Sequence, residues 1–236
     1  MVKSQGDIDA FYSGLRLSGL EIVGGLVLQE QHCAIGKEAN CGKSALVVGN
    51  LGAAMWSVFA KSPEFADGMI DPMNRWTKRV VTGTATDLNC DLYFPFDRPF
   101  WPFQRIAQTA MGIKPSPLGL LMHPQYGLWH ALRALIVLDD EDGFSSFLKG
   151  LGGFDDKLIH PCDECPEKPC LNACPVEAFN GETLDIVPCF SHLESNEVPD
   201  CMVMGCRSRD ACPVGVEHRY LDAQVQFHMR SYSGRS

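Results

Sequence analysis

Between positions 162 and 212 the chain places eight cysteines in two groups of four. The first is Cys162-x2-Cys165-x4-Cys170-x3-Cys174, followed by Pro175; the second is Cys189, then Cys201-x4-Cys206-x5-Cys212, followed by Pro213. Four thiolates can surround one small inorganic core or one tetrahedral ion. Three on a tight loop cap three corners, and a fourth comes from elsewhere. The proline after the last thiol of each group turns the chain away and offers no N–H. Two chemistries suit such a set: a cubane iron–sulfur cluster and a structural zinc ion. Disulfides are the third use of dense cysteine. They belong to oxidising compartments, whereas the opening "MVKSQGDIDAF" lacks the apolar stretch of an export signal. A cytoplasmic, reducing location is the expectation, and with it metal or cluster binding.

The first group resembles the cysteine run of two-cluster bacterial ferredoxins. It differs in having four residues rather than two before Cys170, and the second group is looser. In that family the fourth cysteine of a run ligates the other cluster. The resemblance therefore implies a crossed pairing. Cys162, Cys165, Cys170 and Cys212 would hold one [4Fe–4S] cluster; Cys174, Cys189, Cys201 and Cys206 would hold the second. Zinc, or one cluster with the other group degenerate, stays the alternative. The acids beside the first group, Asp163, Glu164 and Glu167, would push a cluster potential down.

Eight cysteines do not need the 150 residues that precede them. The 236-residue chain is long enough for one good core and a smaller module, so two domains are expected. Residues 1–150 form the first, 151–236 the second, and the glycine-rich 141–156 joins them. The first part alternates helix and strand patterns. "IDAFYSGLRLSGL" reads as a helix, "EIVGGLVLQE" and "SALVVGNLG" as strands, and "AAMWSVFAKS" as a helix. "DPMNRWTKRVVTGTA" reads as a helix opened by Asp71 as cap and Pro72 in its first turn. "CDLYFPFD" is a strand and "PFQRIAQTAMGI" a helix ending at Gly112; "LWHALRALIVLDD" is a strand or a buried helix. The terminal "VEHRYLDAQVQFHMRSY" reads as one helix. The fold class expected is α+β: a mixed sheet domain followed by a small iron–sulfur module.

Within the first part, "LLMHPQYGLWHALRALIVLDD" resembles the His-Pro-x-aromatic-Gly-x-Trp-x-Ala-x-Arg segment of CblC-type cobalamin-processing proteins, whose fold is of the flavin-reductase or nitroreductase kind. His123, Pro124, Tyr126, Gly127, Trp129, Ala131 and Arg133 fall in register. "ALVVGNLGAAMWSVF" and "DPMNRW" are similar to upstream elements of that family, so the likeness spans roughly residues 45–140. It implies a nitroreductase-like sheet domain that binds cobalamin, or a flavin in its place, through His123, Tyr126, Gly127, Trp129 and Arg133. The arginine matching Arg133 contributes in the family to a glutathione site.

Joined, the two resemblances imply an iron–sulfur redox protein that delivers low-potential electrons to a cobalamin, as a corrinoid reductase or decyanase does. An electron donor protein such as a flavodoxin, ferredoxin or flavin reductase would recharge it. Thiolate-held clusters reach about −700 mV, low enough to reduce cobalt in a corrin. The alternatives are an epoxyqueuosine-reductase-like corrinoid enzyme, a ferredoxin-type carrier without a substrate of its own, and a zinc-stabilised binding protein. Net charge is −9 with no cluster of lysine or arginine, which speaks against nucleic acid. No stretch approaches the ~20 apolar residues that cross a membrane. "GKEANCGKS" has five residues between its glycines where a phosphate loop has four, and no helix pattern follows it. Cys33, Cys41 and Cys90 lack ligand spacing and read as ordinary thiols.

Overall fold

The computed structural model describes residues 5–34, 37–139, 159–181, 183–195 and 200–234. The expected linker, 141–156, lies outside the described residues. The chain forms two compact units. One comprises Met1–Gly112 and Ala131–Leu158, the other Ile113–His130 and Ile159–Ser236. Residues 113–130 thus belong with the cysteine-rich segment.

The first unit is an antiparallel-paired sheet with helices, an α+β arrangement. Helix α1 (Gln5–Leu17) buries Phe11 and Leu15, one turn apart. Gly19 then takes φ +71°, where a β-carbon would strike the Met55 and Ala54 backbone at 2.5–2.6 Å. Strand β1 (Glu21–Val27) alternates, sending Ile22, Gly24 and Leu26 inward. Strand β2 (Ser44–Leu51) is buried along nearly its whole length, because it is flanked on both edges. Two further strands, β3 (Cys90–Tyr93) and β6 (His130–Leu138), complete the sheet in the order β1-β2-β6-β3. β1 pairs antiparallel with β2, and β3 with β6.

Helix α5 (Phe103–Met111) lies against β1 at Gly24, where a β-carbon would be 2.6 Å from the Ala110 carbonyl oxygen. Its Ile106 joins Leu26, Val47, Leu135 and Val137 in the core. Gly112 ends the helix at φ +64°, as its sequence position suggests.

Three local expectations change. "AAMWSVFAKS" gives a single helical turn, α2 (Trp56–Phe59), followed by α3 (Pro63–Ala66) with Ser62 as cap. Trp56, Phe59 and Phe65 cluster there with centroids 5.3–5.7 Å apart. This aromatic packing fixes the bend in place of a longer helix. Helix α4 (Pro72–Thr84) does start at Pro72, but Asp71 adopts φ 51° and makes no side-chain cap; its carbonyl accepts from the Arg75 N–H instead. Cys33 and Cys41 are bonded to each other, their α-carbons 6.2 Å apart. Tight 3₁₀ turns at Glu30–His32 and Glu38–Asn40 fold this loop back on itself, a proximity that linear spacing conceals.

The second unit has little regular structure. A two-strand ribbon, β4 (Lys114–Pro115) with β5 (Leu121–Met122), leads into a tight turn in which His123 and Gly127 exchange N–H···O bonds of 2.9 Å. Short helices follow: α6 (Pro169–Asn172), α7 (Ile186–Leu193), α8 (Asp200–Met204), α9 (Arg207–Asp210) and α10 (Asp222–Tyr232). The terminal stretch is therefore two elements, a 3₁₀ turn at Val216–His218 and then α10. Cysteines are part of the unit's core. Leu118, Met122 and Leu128 pack with Cys170 and Cys212, and Leu193 and Met202 with Cys201. Such a core is suited to coordination in place of a large apolar interior.

Candidate metal centre

Cys162, Cys165, Cys170 and Cys212 line one small pocket. Three come from the loop entering α6, and the fourth arrives from 42 residues further along. Leu118, Met122 and Leu128 form its apolar wall. His160 anchors the incoming loop: its Nδ1 accepts from the Cys162 N–H at 3.3 Å, and its Nε2 lies 3.3 Å from the Lys114 carbonyl oxygen. The thiols act on one another. Burial pushes Cys162 up to about 11, and neighbouring Cys212, Cys170 and Cys165 add to the rise. Cys170 and Cys212 are raised by burial as well. Burial of Cys162, Cys170 and Cys212 disfavours their anions when alone, whereas a bound cation would deprotonate its thiol ligands outright.

The other four cysteines form a second group. Burial raises Cys189, and Cys206 and Cys174 add to the effect; Cys206 in turn feels Cys174. Cys201 is pushed up to about 11, first by burial, with Asp200 and Cys206 among the further causes. Cys162, Cys165, Cys170 and Cys212 thus form one set around a pocket, and Cys174, Cys189, Cys201 and Cys206 a second set whose members act on one another. Each contains a cysteine from the other group of the sequence.

The two sets differ in their surroundings. At the second set, N–H groups aim at sulfur: Ala178 at Cys174 (3.3 Å), Arg207 at Cys201, and Ser208 and Arg209 at Cys206. The Tyr232 hydroxyl hydrogen-bonds Cys189. At the first set Val214 and Leu171 supply N–H groups to Cys212 and Cys170, while Asp163 places negative charge near Cys162. Hydrogen bonds to sulfur and nearby cations raise a cluster's potential, and acids lower it. Each set meets both an acid and a cation: Asp163 and Arg219 act on the first, Asp200 and Arg209 on the second.

Sequence reasoning missed three side chains here. His192 sits one turn beyond Cys189 on α7, and its ring nitrogen, the Asp200 carboxylate and the Cys201 sulfur lie within 4.8 Å of one another. Tyr232 stacks against Phe190 at 5.1 Å. Arg209 lies over the Trp129 ring at 4.5 Å and the Tyr220 ring at 4.7 Å. Only the position of Arg209 inside "CRSRDACP", between Cys206 and Cys212, carries a hint of its place.

The stretch His123–Arg133 is divided by the fold. His123, Tyr126, Gly127 and Trp129 lie in the cysteine-rich unit and Arg133 in the sheet unit. His123 is buried, and its Nδ1 accepts from the Gln125 and Tyr126 N–H groups, each at 3.1 Å. Burial first, then His130 and His218, lower it to about 4, so it is neutral at pH 7. Tyr126 packs on His218 with centroids 4.2 Å apart. Gly127 and Gly215 take φ of +54° and +69°, and each would collide with the other's turn if it carried a β-carbon. Trp129 meets Tyr220 edge-on at 5.4 Å. Arg133, half-buried on β6, donates from Nε to the Oδ1 of fully buried Asn50 at 2.8 Å. An internal partner thus accounts for this cation in an apolar strand.

Among the described residues, no helix is long and apolar enough to cross a membrane. No protein-family model matches the chain, and no curated protein matches it. Solved structures do. A B12-trafficking protein CblC of C. elegans, a homologue of human MMACHC, aligns at TM-score 0.52 and 13% identity, covering 96% of this chain and 93% of that one. An epoxyqueuosine reductase aligns at 0.48 and 12%, over 94% of this chain and 68% of the other. A second epoxyqueuosine reductase structure, with a tRNA-Tyr stem loop, aligns at 0.42 and 13%, over 75% and 50%. The chain is similar in fold to the CblC protein.

Proposed function

We propose that this chain is an iron–sulfur redox protein that passes low-potential electrons to a corrinoid bound by the chain itself. The observation that carries the reading is the gathering of eight cysteines into two four-thiol sets, each drawn from both groups of the sequence. Thiolate tetrads of this kind suit [4Fe–4S] clusters, which supply one-electron chemistry when bound. Cys162, Cys165, Cys170 and Cys212 hold the first and Cys174, Cys189, Cys201 and Cys206 the second. When bound, such clusters would supply one electron at a time, and reduction of cobalt(II) to cobalt(I) in one corrin would require one.

Support for the corrinoid as substrate is the sequence motif at 123–133, together with a fold similar to the CblC protein's. His123, Tyr126, Gly127, Trp129 and Arg133 are the residues proposed to form or support its site. The recharging partner is a low-potential donor protein such as a flavodoxin, ferredoxin or flavin reductase. Net charge −9 weighs against a nucleic-acid substrate. Cytoplasmic residence belongs to the same proposal, since thiols free to hold clusters persist in reducing surroundings, although the Cys33–Cys41 bond is a feature of oxidising ones.

Anaerobically purified protein should carry about eight iron and eight sulfide per chain, two [4Fe–4S] units. Titrating it with cob(II)alamin should perturb the corrin spectrum to a one-to-one end point. Colourless protein holding zinc overturns the cluster assignment. Brown protein that leaves the corrin spectrum unchanged, but responds to flavin, moves the substrate to flavin. A response to neither leaves a carrier.

A further inference from the structure

Four large apolar side chains stand in solvent within one helical turn of thiols of the second set. Ile186 and Val187 open α7, three and two residues before Cys189; Val203 and Met204 end α8, two and three residues after Cys201. Their exposures run from 43% to 69%. An i,i+3 spacing sets Ile186 beside Cys189, and Met204 beside Cys201, on the helix surface. The other ends of both helices are packed: Leu193, Cys201 and Met202 form one buried cluster, with Cys189 against it. The apolar cover of these thiols thus runs out into water instead of closing, which is the mark of an interaction surface.

Charge says what kind of partner fits. From Pro175 to Cys206 the sequence holds six acids and no lysine or arginine. Asp200 pairs with Arg207 at 3.5 Å, whereas Glu177, Asp185 and Glu194 are exposed. Asp185 caps α7 by accepting from the Val187 N–H at 3.0 Å, which fixes its charge beside the apolar pair. Glu194 ends the same helix at its C-terminus, where the helix dipole favours a cation. The first set is framed differently. Its flanking exposed apolar side chains are Ile159 and Val216, and Lys168 stands among Asp163, Glu164 and Glu167.

An apolar centre with a rim of one sign suits a transient interface, in which the rim steers encounter and the centre is desolvated on contact. We propose that the exposed ends of α7 and α8 form the docking face for the protein that recharges the clusters, and that this donor frames its cofactor edge with lysine and arginine. The inference rests on the cluster reading above. One electron passes from the donor to the second cluster; the donor is oxidised by one unit, the cluster is reduced by one, and no bond or proton moves. A donor with an acidic face is repelled by the same rim.

Docking is measured on the iron-loaded full chain, with the electron run in reverse. Dithionite-reduced, desalted protein is mixed in a stopped-flow cell with oxidised cytochrome c, a probe with lysines around its haem edge, or with oxidised flavodoxin, an acidic one. Glu177→Gln/Asp185→Asn/Glu194→Gln removes the proposed rim, and asparagine at 185 keeps an oxygen for the cap. Asp163→Asn/Glu164→Gln/Glu167→Gln makes the same change of net charge beside the first set. The rim variant is expected to slow transfer to cytochrome c about fivefold at low salt and to speed transfer to flavodoxin, with the other variant within about twofold of wild type. Ile186→Ser/Met204→Ser should slow transfer to cytochrome c severalfold. Equal effects of the two acid variants, a larger effect beside the first set, or wild-type rates in the rim variant or in Ile186→Ser/Met204→Ser overturn the proposal. Should a variant lose iron, wild-type protein decides alone: carbodiimide cross-links to cytochrome c lysines fall on Glu177, Asp185 or Glu194 if the proposal holds, and only elsewhere if it does not. Wild-type protein without iron and sulfide defeats the cluster reading instead, an outcome read before any mixing.

Discussion

The α-carbon of Gly127 faces the carbonyl of Val214 so closely that a β-carbon would stand 2.1 Å from that oxygen. Val214 follows Cys212 by two residues and donates its N–H to the Cys212 sulfur. The glycine of the His-Pro-x-Tyr-Gly turn is thus the seat of the turn that carries the fourth thiol of the first set. Gly127→Ala adds both a left-handed backbone penalty and a clash, together about 2–5 kcal/mol. The expected outcome is a lower melting temperature and selective loss of iron from the first set, measured by calorimetry and iron content. Full iron retention and an unchanged melting temperature would show that the two turns part without cost.

Cys170 and Cys174 are neighbours in sequence but belong to different sets. Cys170→Ala and Cys174→Ala should each lose about half of the iron, and the double variant nearly all of it. A pairing that followed the sequence would put both residues on one cluster, and the double variant would keep half. Iron and sulfide counts on the three proteins decide between the two.

His123 adds a pH dependence. Its pKa in the folded chain, about 4, lies below the usual 6.5 of a histidine, chiefly through burial. The unfolded chain therefore binds the proton more readily, and stability falls as pH drops from 6.5 towards 4. Between pH 7.5 and pH 5.5 the loss attributable to His123 is about 1 kcal/mol. His130, also lowered mainly by burial, acts in the same direction. Urea unfolding at the two pH values should show this loss in wild-type protein and a smaller one in His123→Asn. Equal losses in both would remove His123 as its source.

Two sets of four thiols were to be expected from the sequence because coordination restricts residue type as well as spacing, and a crossed scheme uses every thiol. The helix from Pro72 and the stop at Gly112 were legible for a similar reason, since proline and glycine mark helix ends by backbone geometry. "ALRALIVL" left strand and buried helix open. Residues Ala134–Leu138 are all buried on β6, so neither period could show. The placement of Arg209 over Trp129 and Tyr220 joins residues 80 positions before it and 11 after. The bond between Cys33 and Cys41 depends on how two 3₁₀ turns fold. Relations of that kind are tertiary, and a linear pattern does not carry them. The grouping of residues 113–130 with the cysteines is another: their sequence reads as part of the sheet domain, yet Leu118, Met122 and Leu128 wall the first cavity.

The central claim is electron transfer from the clusters to a corrin on the same chain. The most direct measurement mixes the dithionite-reduced, desalted protein with one equivalent of cob(II)alamin under strict anaerobiosis and follows both chromophores. The account predicts that cluster absorbance returns about half-way to its oxidised value as one equivalent of cob(I)alamin appears, one electron lost for each cobalt reduced. Clusters that stay reduced while the cob(II)alamin spectrum persists would contradict it.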